Sequence, residues 1–136
     1  MKRVLLSAAI LCSCAHSAGG QQPSQLQPAA LASPSRADVQ TICHQLTSQF
    51  VAAVEQRKFE DALQLLSVSL QARYSAERLA LDYANEPLAA ERVQRIKLSL
   101  HEPFKVTGGQ AELPLPGARS FKLIREPEGW RIAALE

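Results

Sequence analysis

Aromatic side chains are scarce in this chain of 136 residues: one Trp, two Tyr and four Phe. So few rings, none interleaved with a basic cluster, leave no stacking platform for nucleic acid, and nucleic acid is not an expected partner. Cysteine is scarcer, at Cys12, Cys14 and Cys43, which is too few and too irregularly spaced for a disulfide framework or a zinc signature. His16, His44 and His101 read as surface residues without metal-ligand spacing, so neither a metal nor a cofactor is expected. Neither sign of charge dominates: the formal charge of +2 is accounted for by Lys2 and Arg3, and from Ala15 onward 13 basic residues face 13 acidic ones. Such a balance gives no pull towards polyanions or strongly anionic lipid. Glycines are few, and Gly108-Gly109 belongs to a hairpin rather than to a strand-to-helix phosphate loop; a nucleophile elbow is also absent.

No apolar run reaches the ~20 residues of a membrane span. The longest, Val4 to Leu11 after Met1-Lys2-Arg3, has the length of a secretory h-region. Leu11-Cys12-Ser13-Cys14 resembles the bacterial lipobox, with Cys12 standing where a small residue is usual. That resemblance implies cleavage before Cys14 and acylation of its thiol and new amino group, which makes 1–14 a signal peptide and Cys14 the lipidation site. Ala15 is not the Asp that the resemblance associates with inner-membrane retention, so an outer-membrane lipoprotein of the bacterial envelope is expected. Ordinary cleavage after Ala15-His16-Ser17, giving a soluble periplasmic or secreted protein, is the alternative.

Residues 15–36 hold three prolines, two glycines, four Gln and four Ser with no acid, the composition of a tether of ~25 Å root-mean-square span. Residues 37–136 then suit one domain with one core.

From Asp38 to Val93 the periodicity is helical. Val39, Ile42, Cys43, Leu46, Phe50 and Val54 form one stripe, ending near Arg57-Lys58. Phe59-Glu60-Asp61 opens a second helix with an acidic first turn, and Ser75 caps a third that stops by Glu86 because Pro87 follows. Pro87 is expected to start only a short turn through Ala90. At Arg95 the period becomes two: Ile96, Leu98, Leu100, Phe104 and Val106 alternate with polar residues, as in a half-buried strand. Thr107-Gly108-Gly109-Gln110 and Glu126-Pro127-Glu128-Gly129 are turns. Ala111, Leu113, Leu115, then Phe121 and Leu123, then Trp130, Ile132 and Ala134 face inward along successive strands, and Pro114 and Pro116 imply an edge open to solvent. The expected fold is α+β, with three N-terminal helices packed on a curved antiparallel four-stranded sheet.

Phe50-Val51-Ala52-Ala53-Val54, Phe59 to Ser67, the Gly-Gly-Gln-Ala hairpin and Glu128-Gly129-Trp130-Arg131-Ile132-Ala133 resemble the nuclear transport factor 2-like superfamily, the cone shared with ketosteroid isomerase and scytalone dehydratase. The resemblance spans residues 38 to 135 and implies a cone-shaped cavity and, between the second and third helices, a short strand, with Ser67 to Leu70 either forming it or staying helical. Superfamily members include isomerases, dehydratases, carriers and binding modules, so the residues must decide.

An isomerase needs a carboxylate and a phenol inside the cone. Asp61, Asp82, Tyr74, Tyr83, Glu102 and Glu112 are available; none matches a catalytic motif, and Asp82-Tyr83, the best pair, diverge by about 100° on a helix. Cys43 reads as a buried small hydrophobe, with an inter-protomer disulfide as the alternative. Arg92, Arg95, Lys97, Arg119, Lys122 and Arg125 mix with acids as solvated charge. No catalytic residue is assigned. The expectation is a non-enzymatic envelope module, held to a membrane by its lipid, that binds a protein partner or a small apolar ligand. A small acid-base isomerase or dehydratase is the alternative.

Overall fold

The computed structural model describes residues 33–117 and 119–135. The lipobox, Cys14 and residues 15–32 of the expected tether lie outside the described residues. The Ser35 hydroxyl accepts from the Asp38 N–H, while the Asp38 carboxylate accepts from the Ser35 N–H at 3.0 Å. This reciprocal capping box starts α1, Arg36–Glu55, so Ser35 and Arg36 belong to the domain and not to the tether. Val39, Cys43, Leu46, Phe50 and Val54 are buried as the stripe requires, but Ile42 stays 38% exposed at its edge.

α1 ends in a Schellman motif: Lys58 N–H reaches the Ala53 carbonyl at 2.8 Å and Arg57 N–H the Val54 carbonyl at 3.0 Å. The reversal places Arg57 at φ 58° and starts α2, Phe59–Gln64. Residues 65–67 run beside the last strand, with Ile132 N–H on the Leu65 carbonyl and Ser67 N–H on the Ile132 carbonyl, a single parallel bridge. Ser67 then caps the one-turn α3, Val68–Gln71. Ser75 caps α4, Ala76–Asn85, which is joined through Glu86 alone to α5, Pro87–Ser99.

Two expectations are corrected here. Among the described residues the helices number five, not three, and the segment expected as a strand from Arg95 to Leu100 is the end of helix α5, with Leu100 as its C-cap. Pro87 occupies the first turn of α5, where its missing N–H costs nothing, and Ala89, Ala90, Glu91, Arg92 and Gln94 are strong helix formers. Ala89, Val93 and Ile96 are buried at helical spacing, whereas Leu98 is 67% exposed. The Glu91–Arg95 ion pair at 2.7 Å adds local support.

Four antiparallel strands follow in meander order: β1 Lys105–Thr107, β2 Gln110–Leu115, β3 Arg119–Glu126 and β4 Gly129–Ala134. Gly108, in the two-residue turn, takes φ 58° as such hairpins demand. β1 pairs with β2 only from Gln110 to Glu112, so Pro114 has no strand on that side, where its lack of a donor is harmless. Between Lys122 and Leu123 of β3 the register skips Ala133, a β-bulge in β4, a feature that bends a strand.

The inner sheet face presents Ala111, Leu113, Leu115, Phe121, Leu123, Trp130 and Ile132, all buried. α1 and α3 pack on β4, and α5 packs on β2. The architecture of the described residues is α+β, with five helices and a four-stranded antiparallel sheet.

Candidate functional site

Between helices and sheet, apolar side chains from both layers join one buried cluster. Phe50, Phe104, Phe121, Leu113, Leu123 and Ile132 are at most 1% exposed, and Phe50 meets Phe121 with ring centroids 6.2 Å apart. An open groove of about 650 Å³ lies among the helices, well inside the roughly 300–1,000 Å³ range of small-molecule sites.

Each wall follows from local sequence. α4 puts Glu77, Ala80, Leu81 and Ala84 on the groove at a spacing of three and four. α5 contributes Ala90, Val93 and Gln94, and the end of α1 contributes Val54 and Glu55, followed by Arg57 and Phe59. Pro87 prevents α4 and α5 from continuing as one helix, and the alanines leave the space between them unfilled. Leu81 stands 58% exposed at the rim.

Phe59 and Tyr83 form an aromatic wall, stacked with centroids 6.1 Å apart and planes 26° apart. The Tyr83 hydroxyl is buried without a hydrogen bond of good geometry. Burial pushes its phenol up to about 12, against the opposing influence of the Arg92 guanidinium beside it; Tyr74 and Asp82 add to the rise.

The charged lining groups differ in their engagement. Glu55 is bound to Lys97 at 2.6 Å. The Glu77 carboxyl is held below its usual range, chiefly by a hydrogen bond from the Ser75 side chain. Arg57 lines the groove with no ion pair or side-chain hydrogen bond among the described residues.

The acid-base candidates do not converge. Asp82 turns to Arg78 at 3.1 Å, and Asp61 and Glu102 are exposed. Glu112 lies on the outer sheet face between Lys105 and Lys122 of the neighbouring strands. Cys43 is fully buried and free, and burial pushes its thiol up to about 11. His44 is half-buried with its ring edge-on to Phe104 at 5.0 Å, not on a fully solvated helical face. His101 follows α5 rather than lying in a strand, 3.1 Å from Glu102. Arg92, Arg95 and Lys97 lie on α5 and not on a strand.

Two things were missed in the sequence. Gln40, placed on the polar side of the first helix, accepts from the Phe104 N–H at 2.9 Å and donates to the Phe104 carbonyl, which ties α1 to the start of β1. The groove was missed as well; its signal was Leu81, an apolar residue two places from the buried Leu79 and so off its side of α4.

Two further hollows are less enclosed by apolar side chains. One lies at Arg36, Gln40, Pro103 and Lys105, the other along Lys105, Glu112 and Lys122 on the outer sheet face. Among the described residues no three His, Cys, Asp or Glu side chains gather, and no helix is long and apolar enough to cross a membrane. No protein-family model, characterised protein or solved structure matches the chain.

Proposed function

We propose that this is a non-enzymatic binding module of the bacterial envelope, exported and anchored through acylated Cys14 in the outer membrane, that holds a small apolar ligand in the groove between α1, α4 and α5. One observation carries the binding reading: apolar side chains fill the helix–sheet interior, while the inter-helical groove is open, floored by Val54, Ala80, Ala84 and Val93 and walled by Phe59 and Tyr83. Such a hollow with few polar groups suits apolar ligands. Acid-base catalysis finds less support, since Glu55 is paired and Glu77 is hydrogen-bonded rather than aimed at the Tyr83 phenol.

A nuclear transport factor 2-like domain is the fold family we favour. The strand-like residues 65–67 beside β4 support it; they begin two residues before the short strand expected at Ser67 to Leu70, of which Val68 to Leu70 are helix α3 instead. The interior of such a cone would here be filled by the core, with the ligand seat beside it.

The uncharged fluorophore N-phenyl-1-naphthylamine tests the groove. Saturable binding at one site per chain is expected, with loss in Ala84→Trp, whose indole would occupy the hollow. Unchanged binding in that variant, or no saturable binding to the unaltered protein, refutes the groove as a ligand seat.

A further inference from the structure

Arg57 stands where helices ending in a Schellman motif usually place glycine, because the left-handed backbone crowds any Cβ. Its φ of 58° is the one positive value held by a non-glycine residue among those described. Strain of this kind persists where surrounding structure holds it, and it concentrates at ligand-binding positions. Here the strained residue is an exposed arginine among those that line the groove.

The other charged lining groups are already engaged, Glu55 by Lys97 and Glu77 by Ser75. Arg57 alone retains an uncommitted set of donors, a planar fork that matches a carboxylate in two parallel hydrogen bonds. The remainder of the lining is mainly alanine, valine, leucine and aromatic carbon, which attracts an alkyl chain, with Gln94 and the Tyr83 hydroxyl as its uncharged polar groups.

We propose that the groove binds a single-chain anionic amphiphile, a long-chain carboxylate, with its alkyl chain along the alanines of α4 and α5 and its head group on Arg57. The inference rests on the groove being a ligand seat and adds the chemical class of the ligand. A free carboxylate and an anionic lipid head group in a bilayer share this chemistry, and the free single chain is the one proposed, since the groove is bounded on three sides by helices.

Calorimetric titrations with decanoate, dodecanoate, 1-dodecanol and dodecyltrimethylammonium, all below their micelle concentrations, test the class. Dodecanoate should bind at one site, more tightly than the alcohol and far more tightly than the cation. Each methylene should tighten binding by up to about fourfold. Arg57→Gly, which removes the strain with the side chain and so keeps the fold, should weaken dodecanoate about tenfold or more and leave 1-dodecanol unchanged; Arg57→Lys should restore part of the preference. Equal binding of cation and anion, an unaltered carboxylate preference in Arg57→Gly, or binding only to phosphatidylglycerol vesicles overturns the proposal. If N-phenyl-1-naphthylamine binds while the carboxylate shows no preference, the ligand class fails and the groove stands; if neither binds, both fail.

Discussion

Trp130, second residue of β4, is 6% exposed, and its indole N–H meets no acceptor among the described residues. Its inward direction was legible because strand alternation and the preceding Pro127-Glu128 turn set its parity; the unpartnered N–H was not, since that depends on neighbours distant in sequence. Trp130→Ala should destabilise by about 3–5 kcal/mol. Trp130→Phe, which also removes the buried donor, should cost clearly less, and urea melts of both variants give the comparison. A second residue-scale expectation concerns alkaline pH. Cys43 and Tyr83 both ionise to anions, and burial raises them to about 11 and about 12 in the folded protein from ordinary values of 9.0 and 10.0. The unfolded chain therefore loses these protons first, so their stabilising contribution is complete below about pH 9 and declines up to about pH 12. Urea midpoints should fall between pH 8.5 and 11, and Tyr83→Phe should flatten the upper part of that decline. A midpoint that does not move across this range would contradict the burial of both groups. Gln40 shows the limit of reading residues singly: its amide serves Phe104, 64 positions away, and nothing local distinguishes it from a solvated glutamine.

Helix caps and turns were legible element by element because their chemistry is local. Ser75 before α4, the acidic first turn of α2, Gly108-Gly109 and Pro127-Glu128-Gly129 each specify backbone geometry within four residues. The segment from Arg95 to Leu100 failed for the converse reason. Ile96, Leu98 and Leu100 alternate over only five residues, a span too short to separate period 2 from period 3.6, and the helix is decided upstream by Pro87, Ala89, Ala90 and Glu91. Leu98 discriminates between the two. On a helix it points to solvent, as its 67% exposure shows, so Leu98→Lys should alter stability by no more than about 0.5 kcal/mol. An inward strand position would instead lose about 2–5 kcal/mol on replacement of the buried leucine. Thermal melts of Leu98→Lys beside Ile96→Ala, a fully buried neighbour, measure both cases in one experiment.

For the whole molecule, sequence periodicity located the core, since Val39, Cys43, Leu46, Phe50, Phe121, Leu123 and Ile132 all join one buried cluster. The groove had no such signature, because it arises where α1, α2, α4 and α5 meet and is defined by small residues that leave room rather than by a motif. The first helix starts slightly earlier than the domain boundary that composition placed at Ala37. The first core residue is Val39, and the capping box at Ser35 supports the start of α1. Three starting points should therefore behave differently from what composition alone would give. A chain beginning at Ser33 retains Ser35 and every residue of the buried cluster, so its denaturant midpoint and slope should equal those of a chain beginning at Ala15. A chain beginning at Ala37 loses the Ser35 cap and should be less stable by about 1 kcal/mol with an unchanged slope, because a frayed helix end exposes little additional surface. Ser35→Ala in the longer chain should reproduce that loss. If the chain beginning at Ser33 were itself weakened by more than about 1 kcal/mol relative to that beginning at Ala15, residues 15–32 would have to contribute packing of their own, and Leu26 and Leu31, the two larger apolar side chains there, would be the first to replace.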